Sequence, residues 1–173
     1  GSGANIILDG NGGGVYWEVR VKGHETHAGS RWQNMKMFGV SAIEKAALVV
    51  NSLIKLEEGL NKEQTLMSLC VGKMHGGTYS TATAAECVIN GVAYFSPYRG
   101  TGKEGINNVK NMRNEAVMGM NAPWLKQNPP VLKFQHYDDA YLLPDDKREI
   151  SDTVAGAITD TLGKDVAYSR LAG

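Results

Sequence analysis

The chain has 173 residues, 42% of them apolar and 21% charged, with 18 lysines and arginines against 18 aspartates and glutamates. That size and composition fit one globular domain, or one domain plus an extension, with a core of its own. The balanced charge supplies no field that would gather nucleic acid or an anionic membrane.

Residues 1–14 end in the run Gly10-Asn11-Gly12-Gly13-Gly14, which lacks the Lys-Ser/Thr of a phosphate loop and reads as an entry linker. Val15 to Val21 alternates: Val15, Trp17, Val19 and Val21 share one face, and Tyr16, Glu18 and Arg20 the other. This predicts a half-buried strand. A loop then runs from Lys22 to about Gly39. Ser41 and Glu44 have capping-box spacing. Ile43, Ala46, Ala47, Val50, Leu53 and Ile54 recur at helical spacing, with Gly59 as the expected stop. Leu66 to Met74 predicts a second strand, and a turn-rich connection leads to a third at Cys87 to Phe95, where Gly91 suggests a bulge. Thr101 and Glu104 suggest a second capping box. Ile106, Val109, Met112, Ala116, Val117 and Met120 then make a second amphipathic helix, ended by Pro123 and the Pro129-Pro130 pair. Val131 to Tyr137 predicts a fourth strand.

The order strand, helix, strand, strand, helix, strand is that of an α+β fold. We expect a ferredoxin-like split βαβ sandwich over residues 15–137, a four-stranded antiparallel sheet with two helices on one face. Residues 138–173 fall outside that plan as a C-terminal helical extension. Pro144-Asp145-Asp146 opens a helix with Ile150, Val154, Ala157, Ile158 and Leu162 on one side and Gly163 as its cap. That apolar stripe needs a partner surface, so the extension is read as the start of a neighbouring domain or a dimer-packing arm. No apolar run reaches membrane-spanning length, and no charged-then-apolar leader is present. Cys70 and Cys87 lack metal-type spacing and are expected as reduced, buried thiols in a cytoplasmic protein. Tyr16, Trp17 and Phe95 are read as core or interface rather than as a base-stacking sheet.

Chemistry concentrates in Lys22-Gly23-His24-Glu25-Thr26-His27-Ala28-Gly29-Ser30-Arg31-Trp32. A metal site needs three or more His, Asp, Glu or Cys side chains converging on one point. The four histidines, His24, His27, His75 and His136, form no such motif with nearby carboxylates. Ser30 near His27 lacks a nucleophile elbow. Taken alone, His27 reads as a loop imidazole capping a backbone carbonyl, and no metal is expected in this chain.

The strand followed by Gly23-x-x-x-His27-Ala28, then Gly39-Val40-Ser41-Ala42-Ile43 opening a helix, then Gly72-Lys73-Met74-His75-Gly76-Gly77 after the second strand, resembles the lid, or dimerisation, domain of the zinc-dependent peptidases and deacylases. Aminoacylase, acetylornithine deacetylase, succinyl-diaminopimelate desuccinylase and carboxypeptidase G belong there. The resemblance covers roughly residues 13–137. It implies a homodimer formed through a sheet edge and the adjacent helix. It also implies zinc or another divalent metal in a separate catalytic domain of the same polypeptide. His27 would reach across to the partner's active site and stabilise the oxygen that becomes negative in the tetrahedral intermediate.

Several positions depart from that pattern. Thr81 stands where many relatives bind substrate with an Asn, and Tyr94 where an Arg grips a carboxylate. Arg99 lies one short turn later as a possible replacement. The loop from His27 to Gly39 is longer than usual and carries Arg31, Trp32 and Lys36, and Ser41 replaces an Asn. Without a metal motif, the chain alone should hydrolyse nothing. The resemblance implies the dimerisation or lid domain of a metal-dependent amidohydrolase. The competing reading is a non-catalytic ferredoxin-like ligand-binding or regulatory module acting as a dimer.

Overall fold

In a computed structural model the described residues are 5–62, 67–97, 107, 110–111, 114 and 122–171. The central sheet contains β2 (Gly13–Lys22), β5 (Met67–Gly76), β6 (Glu86–Phe95) and β7 (Val131–Asp138), in the order β5-β6-β2-β7 with every pair antiparallel. The first and third of these strands are therefore central, and the second and fourth are edges. α1 (Ala42–Lys62) crosses from β2 to β5 and packs on one face.

The alternation of β2 is realised as expected. Trp17, Val19 and Val21 are buried in the core with α1 and Val15 is buried on the same side of the strand, while Tyr16, Glu18 and Arg20 look out from the bare face. Gly91 is not a bulge. It faces Trp17 in register, and a Cβ there would collide with the Trp17 ring and the Cys70 carbonyl. The register shifts lie instead in the edge strands, between Val71 and Lys73 of β5 and where Tyr16 and Trp17 meet His136 and Phe134 of β7.

The buried line of α1 is Ala42, Ala46, Val49 and Leu53, spaced by four, three and four residues. Ile43 and Ile54 of the expected stripe lie on its exposed shoulder. Gly59 does not stop the helix, which runs on to Lys62. Glu44 binds Arg31 through its carboxylate instead of turning back on the helix start.

The capping pair Thr101 and Glu104 and the second apolar stripe, Ile106, Val109, Met112, Ala116, Val117 and Met120, lie outside the described residues. The four described positions between 97 and 122, Asn107, Lys110, Asn111 and Asn114, are helical. Lys110 Nζ stands 5.6 Å from the ring centroid of Phe134, which packs against the core shared with α1. Pro123 opens a helix rather than closing one: α2 (Pro123–Gln127) inserts fully buried Leu125 into the core, and Trp124 donates from Nε1 to the Lys22 carbonyl.

Residues 6–11 are a strand, not a linker. β1 (Ile6–Asn11) lies between β8 (Tyr141–Leu142), antiparallel, and β9 (Ala167–Leu171), parallel. The glycines of the expected linker are packed: a Cβ on Gly13 would strike the Phe95 ring and the Ala140 amide. The two strands that flank β1, β8 and β9, are joined through α3 (Glu149–Leu162), whose end is capped by Gly163 in the left-handed region, φ 62°, as the sequence predicts. Asp9, 2% exposed, ties this unit together, since Arg148 donates to it at 2.8 Å. Arg148 also binds Asp145 and lies over the Tyr168 ring. No helix among the described residues is long and apolar enough to cross a membrane. Both cysteines are free. Burial pushes the Cys87 thiol up, but Cys70 is exposed on edge strand β5, contrary to expectation.

Candidate functional site

The loop that leaves β2 is held at its root by Gly23, which has no room for a side chain because a Cβ would meet the carbonyls of Ala84 and Val40. From there the loop zips onto the connection between β5 and β6. Gly23 donates to Ala85, Ala28 to Thr81 at 2.7 Å, and Thr83 to Thr26 at 2.9 Å through their backbones. Thr83, 6% exposed, adds a side-chain clamp. Its hydroxyl accepts from the Thr26 amide at 2.9 Å and donates to the His24 carbonyl at 2.8 Å.

His27 is exposed at the N-cap of a single 3-10 turn, Ala28–Ser30. It caps an amide, not a carbonyl: Nδ1 accepts from the Gly29 N–H at 3.1 Å. An Nδ1 that accepts carries no proton, so the neutral ring carries its proton on Nε2. The loop thus presents an imidazole N–H as a donor, on backbone pinned by two strands' worth of hydrogen bonds.

His24, a surface side chain by sequence alone, has a structural part. Its Nδ1 is 2.7 Å from the Phe38 carbonyl, and its ring stands edge-on to the Phe38 ring at 4.8 Å. Arg31 grips Glu44 through both guanidinium amines. Hydrogen bonding to Arg31 is the main cause that holds the Glu44 carboxyl below the usual carboxylate range, and the same bond raises Arg31.

Of the residues singled out from the sequence, Thr81 lies beside His27, its carbonyl bound by the next amide. Tyr94 lies elsewhere. It is at the far end of β6, in register with Gly14, whereas the His27 loop leaves from the end where Lys22 meets Glu86. Eight strand steps separate those ends, about 26 Å. The Tyr94 hydroxyl is 3.2 Å from that of Tyr16, which this contact pushes above the usual tyrosine range. The Tyr16 ring in turn faces His136, whose Nε2 is 2.7 Å from Asp138. Arg99 lies outside the described residues. Among the described residues no three His, Cys, Asp or Glu side chains converge as metal ligands. In the sequence Thr83 stands out only as part of Thr83-Ala84, which replaces a Val-x-Pro-like step of the family pattern; its clamp is not legible there, because nothing in residue type distinguishes it from Thr78 and Thr81 in the same turn-rich stretch.

Residues 10–97 match the family model described as the peptidase dimerisation domain. The chain belongs to that family. Its solved neighbours agree in fold. An aminopeptidase from Bacillus cereus superposes with a TM-score of 0.64 at 16% identity, over 98% of this chain and 40% of that one. A tripeptidase from Staphylococcus aureus gives 0.63 at 17% identity, over 96% of this chain and 40% of that one. An amidase of the hydantoinase/carbamoylase family from Burkholderia vietnamiensis gives 0.67 at 12%, over 96% and 36%. This peptidase dimerisation domain and its flanking segments therefore span 36–40% of the length of those solved chains. No curated protein sequence matches it.

Proposed function

We propose that this chain is the dimerisation and lid portion of a metal-dependent amide hydrolase, a peptidase or N-deacylase. It pairs with a second copy and supplies His27 to that copy's active site. The observation that carries the reading is the Gly29 N–H on His27 Nδ1. It leaves Nε2–H directed away from the loop as the donor that a developing oxyanion requires. That the His27 loop and Tyr94 belong to opposite ends of the β2–β6 ladder favours delivery in trans. No small amide spans about 26 Å, so His27 and Thr81 serve a site other than the one that Tyr94 of the same protomer faces. Two copies remove the conflict, each site taking Tyr94 from one and His27 from the other.

Pairing through the outer edge of β5 fits the surface beside it. α1 lies over that side of the sheet and exposes Ile43 and Ile54 on the shoulder next to β5. Edge-to-edge pairing would complete the β5 ladder. The metal, zinc or another divalent ion, belongs to the catalytic portion of the same polypeptide, since the described residues offer no ligand cluster. The unit of β1, β8, β9 and α3 is the margin of that portion. Its exposed Leu8, Ile150, Val154 and Leu162 call for apolar cover from the rest of the polypeptide. Two free cysteines and no spanning helix among the described residues suit work in the cytoplasm.

The test is His27→Ala in the full-length polypeptide. Loss of an oxyanion donor lowers turnover by about two to three orders of magnitude, with dimerisation and metal content intact. An unchanged rate removes His27 from the mechanism.

A further inference from the structure

Between the His27 turn and α1 the chain folds into a small hairpin. In it β3 (Trp32–Gln33) pairs with β4 (Lys36–Met37), Trp32 opposite Met37 and Gln33 opposite Lys36. Its two-residue turn has Asn34 at φ 49° and Met35 at φ 62°. Two positive φ values make a type I′ turn, in which Asn is common first and Gly second. Here the second residue is Met, a bulky side chain in a conformation that such residues avoid. Met35 is 95% exposed, so it recovers nothing for that strain within its own chain. Trp32, 59% exposed, and exposed Met37 and Phe38 complete an apolar arm.

The base of the arm is firmly held. Phe38 and Gly39 both donate to the Arg31 carbonyl, at 2.8 and 3.0 Å. His24 braces Phe38, and Arg31 is fastened to Glu44 in the first turn of α1. A strained apolar tip on a fixed base is the local pattern of a contact element, where backbone strain is kept because a partner uses it.

The partner follows from the surface that adjoins it. Through Arg31 and Glu44 the arm is continuous with the shoulder of α1 that exposes Ile43 and Ile54. A two-fold axis that sets two β5 edges antiparallel also sets the two α1 helices antiparallel. The arm at the start of one α1 then stands opposite the C-terminal half of the other, where Ile54 is exposed.

We propose that the Trp32–Phe38 hairpin clasps a second copy of this protein, packing Trp32, Met35 and Phe38 against the C-terminal half of that copy's α1. This rests on the homodimer reading above and specifies which surface holds it.

The tryptophans make the test direct. Trp17 is buried and Trp124 packs against the core, so Trp32 is the well-exposed one among the three. Acrylamide quenching is followed against protein concentration beside sedimentation equilibrium, in the native chain and in a Val154→Glu background that silences association through α3. The clasp predicts that quenching falls as the dimer forms. It predicts that Met35→Glu and Ile54→Glu, both at exposed positions, each weaken dimerisation at least tenfold with unchanged circular dichroism. A dimer in which Trp32 stays as quenchable as in the monomer, with both variants within twofold of native affinity, overturns the clasp and leaves the homodimer standing. A chain that stays monomeric throughout overturns both.

Discussion

Thr83 is the residue whose loss should most cleanly loosen the His27 loop. Thr83→Val keeps the shape and removes the hydroxyl. The His24 carbonyl keeps a partner, because the Val40 amide also donates to it at 3.0 Å. The Thr26 amide loses its 2.9 Å acceptor in a largely enclosed position. Leaving one amide unpaired costs about 1–3 kcal/mol, and losing the hydroxyl's own bond about 0.5 more, so the total is about 2 kcal/mol. In a chain of this length that lowers the melting temperature by roughly 4–8 °C. Urea unfolding should show the shift in midpoint with an unchanged slope. Hydrogen exchange should show Thr26 and Ala28 amides opening more than those of β2 and β6. Thr83→Ser, which keeps the hydroxyl, should restore most of the protection. A Thr83→Val midpoint change worth less than about 0.5 kcal/mol, with Thr26 as protected as before, would show that the hydroxyl does not hold the loop.

Two other perturbations follow from the same geometry. Arg31 keeps folded Glu44 ionised at pH values where the unfolded side chain has taken up its proton. The stability from this pair is therefore fully present above the ordinary carboxylate range and disappears as pH falls through that range to the lower folded value. Because half of the Glu44 side chain is exposed, the pair contributes under about 1 kcal/mol. Stability of the native chain and of Glu44→Gln should differ at neutral pH and converge as pH falls below the ordinary carboxylate range, and a gap of unchanged size from neutral pH down through that range would refute the assignment. Arg148→Met should destabilise the β1–β8–β9 unit by about 2–3 kcal/mol, the low end for breaking an enclosed ion pair because Arg148 is itself a quarter exposed. The check is hydrogen exchange in β1 and β9, and protection equal to the native chain's would contradict the role given to Asp9.

Much of the central sheet could be read from residues, because one face of β2 must be apolar and the other must not. The roll of α1 could not. Val49 and Val50 are equally apolar, and only the sheet beneath decides that Val49 points inward and Ile54 outward. β1 was hidden because its parallel partner lies some 160 positions away, and the glycines that lead from it into β2 look flexible until Phe95 is seen against Gly13. The hairpin was hidden because Asn34-Met35 breaks the Asn-Gly signal that marks such turns. At the site, residue types pointed to His27, but its tautomer depends on the Gly29 amide. Its separation from Tyr94 depends on the strand register.

The central claim is that His27 works in a sister subunit, and subunit mixing tests it directly. One full-length variant carries His27→Ala. The other keeps His27 and is inactivated in the catalytic portion outside this segment. Each homodimer is inactive alone. If His27 is delivered in trans, random mixing yields one competent site in each heterodimer, about a quarter of native activity. If the mixture stays as inactive as its components while heterodimers are shown to form, His27 does not act across the dimer.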